Sequence, residues 1–306
     1  MSALILHHYD YSSFSEKIRL VFGLKSLAWR SVIIPATAPK PLLTPLTGGY
    51  RRTPVLQIGA DIYCDTSLIA RELERRFPFP TLFPDDRTGP TAALAIWAEE
   101  QFFWPIARYV TDRHPETAGA AFHADRAAMR GKPPPDPDRL RADAVRQLPA
   151  MRIQFAWLED MLVDGRPFLQ GEAPGLADFT CYHGVWFLDH FERGAWDGLG
   201  DYRRIGEWAA RIAAIGHGSR SEMDPREALA IARAASPTPP RPSPPLPAGM
   251  ALAGRMRIQP TDNGFDAVEG EVVYVDIDEV AIRRTDPEVG DVAVHFPRLK
   301  YAIRPA

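Results

Sequence analysis

Cysteine is almost missing from this chain: Cys64 and Cys181 are its only 2 in 306 residues. Two thiols so far apart offer no disulfide framework and no cysteine-based metal cluster. They suit a reducing, cytoplasmic setting. Long apolar runs are missing too. No stretch of ~18 apolar residues occurs, so no membrane span is expected. The short run Ala3-Leu4-Ile5-Leu6 has no basic segment before it, so no signal peptide is expected. A positive surplus is also absent: 36 Lys and Arg stand against 39 Asp and Glu, a net charge of -3. Nucleic-acid phosphates call for a basic face, so no nucleic-acid partner is expected. His183 and His190 fall on one helical pattern with no third ligand nearby, so no metal site is expected.

Proline is plentiful instead. The chain has 30, and 7 of them fall in Ser236 to Gly249, "SPTPPRPSPPLPAG". Proline runs lack backbone donors and favour extended chain, so 236–249 reads as a semi-rigid linker. A hydrophobic content of 45% with 25% charged residues suits a globular protein. The length suggests two or three domains.

The patterning along the chain divides it into three. Residues 1–78 alternate strand and helix signals: Ala3–Leu6, then Phe14, Ile18, Val21 and Phe22 at helical spacing, then "WRSVIIP", "TPVLQIG", "DIYCD" and the amphipathic "TSLIARELERRF". The turn between "TPVLQIG" and "DIYCD" falls at Gly59-Ala60. Residues 89–235 carry helical patterns over 91–113, 138–164, 176–190, 202–214 and 224–235, with a polar, proline-ended insertion at 115–137. Residues 250–306 hold short alternating strands parted by Asn263-Gly264, Asp286-Pro287 and Gly290-Asp291. The expected fold is α+β and multidomain: a mixed α/β unit, an all-helical unit, and a small all-β tail. So small a tail is marginal alone and should pack on the helical unit or on a second subunit.

Three short motifs carry chemistry. In "YDYSSFSEKIRL", Ser13 with Glu16 three positions on fits a capping box. A helix start behind a strand also stabilises an anion. A serine hydroxyl there can donate to a thiolate and lower its pKa. No His and acid partners accompany the serine, so it is not read as a covalent nucleophile. Next, Thr53-Pro54 opens a strand, and Arg52 beside it can approach a ligand carboxylate. Third, Asp65-Thr66 precedes a helix, where an N-cap and a receptor for a ligand's ammonium and carboxylate groups are both open readings.

Taken in order, these motifs resemble the thioredoxin-like half of glutathione S-transferases. "SSFSEKIRL" is similar to the zeta-class Ser-Ser-Cys-Ser stretch, with Phe14 in place of the cysteine. It also resembles the tau and omega pattern, with Ser13 in place of a proline. The resemblance implies that Ser12 activates the glutathione sulfur. It implies that Thr53-Pro54 takes the place of a Val-cisPro pair on the cysteinyl backbone, and that Asp65-Thr66 holds the γ-glutamyl end. Ser13 and Arg52 would border the same site. "FLQGEAPGLADFTCYHGVW" resembles the family's Gly-x-x-Pro-Ser/Thr-x-Ala-Asp segment, with Gly175 replacing the hydroxyl residue and Asp178 retained; this pair reads as structural.

The resemblance also implies that a second substrate sits between the two units. Tyr11, Phe103, Tyr109 and Trp186 are the aromatic candidates for its pocket, which favours an apolar electrophile. The implied partners are glutathione as co-substrate, a small-molecule electrophile and a second copy in a homodimer. Two other readings stand beside the transferase. One is a non-catalytic binding protein that uses the β tail for interaction. The other is a zeta-like glutathione-dependent isomerase, which the missing cysteine at position 14 disfavours. Ser12 disfavours an omega-type thiol transferase, which needs cysteine there.

Overall fold

The computed structural model describes residues 2–192 and 201–306. At its centre lie β1 (Ile5–His8), β2 (Ala28–Ile33), β3 (Val55–Ile58) and β4 (Asp61–Cys64), in the order β4-β3-β1-β2. β1 and β2 are parallel; β3 runs antiparallel to β1 and to β4. Every residue of β1, β3 and β4 is buried, the polar His7, His8, Gln57 and Asp61 included. The β3–β4 turn passes through Gly59 at φ 64°, as expected. The pleat sends Leu6 and Leu56 to one face and Ile5 and Val55 to the other, and the two sets join separate cores. α1 (Ser13–Leu24) and α3 (Thr66–Arg76) cover the first face, and the single turn α2 (Thr44–Thr47) lies on the second.

The helical unit then packs against the first core. It comprises α4 (Thr88–Trp97), α5 (Phe103–Arg113), α6 (Pro115–Ala118), α7 (Ala120–Met129), α8 (Pro137–Val145), α9 (Leu148–Asp160), α10 (Leu176–Glu192) and α11 (Arg203–Ala213). The one helix expected over 91–113 is two, joined by a wide π turn at Ala98–Phe102. Pro105 has no N–H, and its ring opposes the carbonyl four residues earlier, at Gln101; the widened turn relieves both. The insertion expected at 115–137 holds α6 and α7. Asp178 is buried and structural. Its carboxylate accepts from the Leu169 and Gly175 amides at 2.8 and 3.0 Å and from the Trp208 indole at 2.8 Å. Glycine stands at 175 because a Cβ there would lie 2.6 Å from Pro84 and 2.9 Å from the Leu82 carbonyl.

Both edges of the central sheet are extended. β5 (Ser219–Glu222) pairs in parallel with β2, and α12 (Pro225–Ala234) lays Ala228, Leu229 and Ala232 into the second core. Residues 224–235, expected in the helical unit, therefore belong to the sheet. All four residues of β5 are exposed, so it is held by its backbone and has no apolar period to read.

At the other edge lie β6 (Arg255–Pro260), β7 (Val268–Val275), β8 (Glu279–Asp286), β9 (Gly290–Pro297) and β10 (Tyr301–Pro305). β9 pairs in parallel with β4, Ile62 opposite Val294, giving one ten-stranded sheet ordered β10-β6-β7-β8-β9-β4-β3-β1-β2-β5. The tail thus joins the central sheet and is no body apart, and it also touches the helical unit, where Lys300 pairs with Glu100 at 2.8 Å and the Gly264 amide donates to the Met129 carbonyl at 2.7 Å. Its Ile258, Val280, Ile282 and Val294 share a core with Val55 and Ile62. A segment this short cannot bury enough surface alone, and the β4 edge supplies both backbone partners and an apolar face. At the seam His295 lies between Glu279 at 2.7 Å and Asp61 at 3.4 Å, its ring stacked on Tyr63 at 4.3 Å. Burial alone would lower its pKa; the two carboxylates outweigh burial and raise it. The proline-rich segment lies along this seam: Thr238 donates to Asp61, and Arg241 pairs with Glu279 at 3.2 Å.

Candidate active site

A cavity of about 1170 Å³ opens between the central sheet and the helical unit. Ser12, Ser13, Arg52, Thr53, Pro54, Asp65 and Thr66 all line it. They are far apart in sequence and meet because three strand ends or helix starts converge there.

Ser12, and not Ser13, caps α1. Its Oγ accepts from the Ser15 amide at 3.2 Å, and Ser13 is the first helical residue. The expected capping box does not form. Glu16 turns away from the cap, accepting from Arg19 at 2.7 Å and pairing with His217 at 2.9 Å. Ser12 accepts one bond from the helix, and its hydroxyl sits at the positive end of a 12-residue helix. It is 5% exposed, so a charge arriving there is largely out of water. Tyr9 is beside it. Burial raises the Tyr9 pKa, against the opposing pulls of Arg126 and Ser12.

The Thr53–Pro54 bond is cis. Thr53 Oγ1 accepts from Lys40 Nζ at 2.8 Å. Lys40 is buried on the cavity wall, and burial, with Arg126 and Arg51 close by, lowers its pKa to about 7. Nothing in the sequence singles out Lys40, a lone basic residue in a proline-rich loop.

Asp65 caps α3 from a left-handed backbone, φ 77°. Its Oδ1 accepts from the Ser67 amide at 3.0 Å and hydroxyl at 2.7 Å, and its Oδ2 accepts from the Tyr301 hydroxyl at 3.3 Å. Thr66 Oγ1 accepts from Lys17 at 3.3 Å and donates to Glu99 at 3.4 Å. Arg52 is already engaged: it donates to the Asn263 carbonyl, pairs with Asp262, and lies 5.8 Å over the Tyr301 ring.

Of the four aromatic candidates, Tyr11 and Phe103 line the cavity; Tyr109 and Trp186 do not. Tyr109 lies six positions beyond Phe103, so helical rotation carries it to another face, where its hydroxyl accepts from Arg113 at 2.6 Å. Trp186 stacks on His190 at 4.9 Å, and the next residue, Phe187, faces the cavity instead. Phe14 packs edge-on to Phe103 at 5.0 Å and so belongs to the apolar floor.

A second set of lining residues escaped the sequence. From α7 comes Arg126, which donates to the Ala36 carbonyl at 3.0 Å; behind it Asp125, outside the lining, accepts from the Ala38 amide at 3.0 Å and pairs with Arg51 and Arg126. From the tail come Asp262, Asn263 and Lys300. The signals were weak: a polar helix inside an insertion, and an Asn-Gly turn read only as a turn. Among the described residues, no group of three His, Cys, Asp or Glu side chains could hold a metal ion, and no helix is long and apolar enough to cross a membrane.

Comparison with known proteins agrees with this geometry. Residues 6–84 match the family model of the glutathione S-transferase N-terminal domain. A GST-like protein from Pseudomonas syringae of known crystal structure is 38% identical over 100% of both chains, with a TM-score of 0.82. A tau-class glutathione S-transferase from mango, Mangifera indica, is 17% identical over 69% of this chain and 89% of that one, with a TM-score of 0.53. A glutathione S-transferase from Methylobacterium radiotolerans, solved with glutathione sulfonate, is 18% identical over 72% and 97%, with a TM-score of 0.51. No curated protein matches the sequence. The Pseudomonas match runs the full length, tail included; the other two leave more than a quarter of this chain uncovered. The chain belongs to the glutathione S-transferase-like family.

Proposed function

We propose that the cavity binds glutathione and that the protein is a glutathione-dependent transferase of the serine type. The observation that carries this reading is the meeting of Ser12, Thr53-Pro54, Asp65 and Thr66 on one wall. Asp65 takes the γ-glutamyl ammonium, Thr53 the cysteinyl backbone, and Lys40, a cation beside Thr53, the glycyl carboxylate. The sulfur then falls at the start of α1. The Ser12 hydroxyl donates to it, and the helix dipole favours the thiolate. The thiol proton leaves to solvent, the sulfur lone pair forms a bond to an electrophilic carbon, and that carbon's leaving group departs with the bonding pair. Tyr11, Phe103, Phe14 and Phe187 give the electrophile's side of the cavity an apolar surface, which favours a small apolar or aromatic partner.

A homodimer is part of this proposal, as is a cytoplasmic location. Ile153 and Trp157, exposed and one turn apart on α9, support a surface between two copies. The non-catalytic reading keeps the ligand and drops the transfer.

The direct test is calorimetry of glutathione with the wild-type chain and with Asp65→Ala. Binding in the micromolar to millimolar range, weakened at least tenfold by the substitution, is the expected result. A wild type that binds no glutathione removes the proposal.

A further inference from the structure

The tail reaches the ligand wall through a few side chains. The Tyr301 hydroxyl lies 3.3 Å from Asp65 Oδ2 and 3.3 Å from the Tyr50 hydroxyl. Burial and the Asp65 charge push the pKa values of Tyr50 and Tyr301 well up, so both remain protonated and able to donate. Lys300 precedes Tyr301 in a left-handed turn, φ 67°, and its carbonyl accepts from the Thr261 amide at 2.9 Å and hydroxyl at 3.0 Å. A non-glycine residue held in that conformation is one the surroundings fix tightly. Lys300 Nζ is 2.8 Å from Glu100 and 3.9 Å from Glu99. Glu99 in turn meets Lys17 at 2.8 Å and Thr66 at 3.4 Å.

The γ-glutamyl end of glutathione carries an ammonium and a carboxylate on one carbon. A site for it needs an anion and a cation facing the same space. Asp65 supplies the anion. Lys17, Arg52 and Lys300 are the nearby cations. Lys17 is buried beneath Glu99 and does not line the cavity. Arg52 lines it with its Nε and Nη2 committed to Asp262 and Asn263. Lys300 lines it and is held only through carboxylates at the rim, Glu100 being 44% exposed.

We propose that the C-terminal tail completes the amino-acid end of the glutathione site: Tyr301 is a positioning residue that orients the Asp65 carboxylate, and Lys300 is a specificity residue that meets the ligand's α-carboxylate. The inference rests on the reading of the cavity as a glutathione site. It makes the tail part of the ligand wall, so that ligand choice and tail docking are coupled.

Calorimetry on the full chain tests it, with two ligands: glutathione, and glutathione amidated at the γ-glutamyl α-carboxylate. Lys300→Gln should weaken glutathione about tenfold, the scale of one charge-assisted hydrogen bond, and leave the amide unchanged. Tyr301→Phe should weaken glutathione by a similar factor and, in turnover, raise KM while kcat stays put. Arg257→Gln, an exposed change on β6 away from the cavity, should alter nothing. Melting temperatures close to wild type show that the wall is intact. Wild-type binding of glutathione with Lys300→Gln equally tight, or with both ligands weakened alike, overturns the proposal and leaves the glutathione reading standing. A wild type that ignores glutathione overturns that reading first, and this one with it.

Discussion

The cavity has two walls built on different principles. One is set by the backbone. Ser12 and Asp65 sit at the starts of α1 and α3, and Thr53-Pro54 opens a fully buried strand. These positions move only if the central sheet moves. The other wall is set by long side chains that meet α7, the π turn or the tail in ion pairs: Arg51 and Arg126 on Asp125, Arg52 on Asp262, Lys300 on Glu100. Ion pairs with partial exposure are individually weak and screened by salt. The backbone wall can hold a reacting atom in place, as chemistry requires. The side-chain wall suits selection and access, since it can shift without unfolding anything. On the proposed reading, Ser12 of the first wall serves the chemistry while Asp65 and Thr53 beside it fix the ligand, and the second wall tunes affinity and access.

The largest expected effect falls on the backbone wall. Ser12→Ala should cut glutathione turnover by roughly 10²-fold, as loss of a donor to a developing anion does. Because Ser12 caps α1, alanine should also cost about 1 kcal/mol of stability. Ser12→Gly separates the two roles, since glycine is a tolerable cap with no hydroxyl. It should recover most of the stability and none of the turnover. Wild-type turnover in either variant would break the contrast at its stronger side.

A smaller effect is expected on the other wall. Asp125→Ala leaves Arg51 and Arg126 without their shared carboxylate and frees the Ala38 amide. KM for glutathione should rise by up to an order of magnitude, the scale of a lost charge-assisted bond, while kcat holds within about twofold. Added salt should move wild-type KM toward the variant's value and leave the variant itself nearly flat. A fall in kcat as large as that of Ser12→Ala would mean that both walls serve the chemistry.

The same division explains what could be read from the sequence. The backbone wall was legible because a helix cap or a strand-opening proline leaves a local signature: Ser12-Ser13, Thr53-Pro54 and Asp65-Thr66 all stand out in a single pass. Even there the choice of cap fell one residue late, since Ser13-x-x-Glu16 satisfies the capping pattern while Glu16 is drawn inward by Arg19 and His217. The side-chain wall was not legible. Asp125 and Lys300 are ordinary surface residues in sequence, and pairings such as Arg52 with Asp262 depend on β9 docking on β4. The tail's strands were visible from their alternation, but no local pattern says which sheet edge they will join. Tyr109 and Trp186 failed for a related reason: helical spacing identifies a face, and only packing decides whether that face meets the cavity or the core.

Lys40 stands where the two walls touch, and it gives the finest test. Its Nζ donates to Thr53 of the backbone wall, while Arg126, Arg51 and Asp125 of the other wall surround it. Burial above all, with Arg126 and Arg51, lowers its pKa to about 7 against the opposing pull of Asp125. Lys40 is therefore a cation below about pH 7 and loses that charge as pH rises. If it meets the glycyl carboxylate, affinity must fall with rising pH, because the form that attracts the carboxylate is the one being depleted. Binding favours that charged form, so the decline begins near pH 7 in the free protein and continues until the raised pKa of the complex is passed. S-methylglutathione is the proper probe, having no thiol to ionise. Calorimetry between about pH 5.5 and about 8.5 should show a decline of a few-fold, with carboxylates and arginines unchanged across that range. In Asp125→Ala the decline should begin at lower pH, since the one opposing charge is gone. Lys40→Arg, whose guanidinium stays protonated, should bind with no such decline. An identical pH profile in Asp125→Ala and wild type would mean that the side-chain wall does not reach Lys40 electrically, and the two walls would then act on the ligand independently.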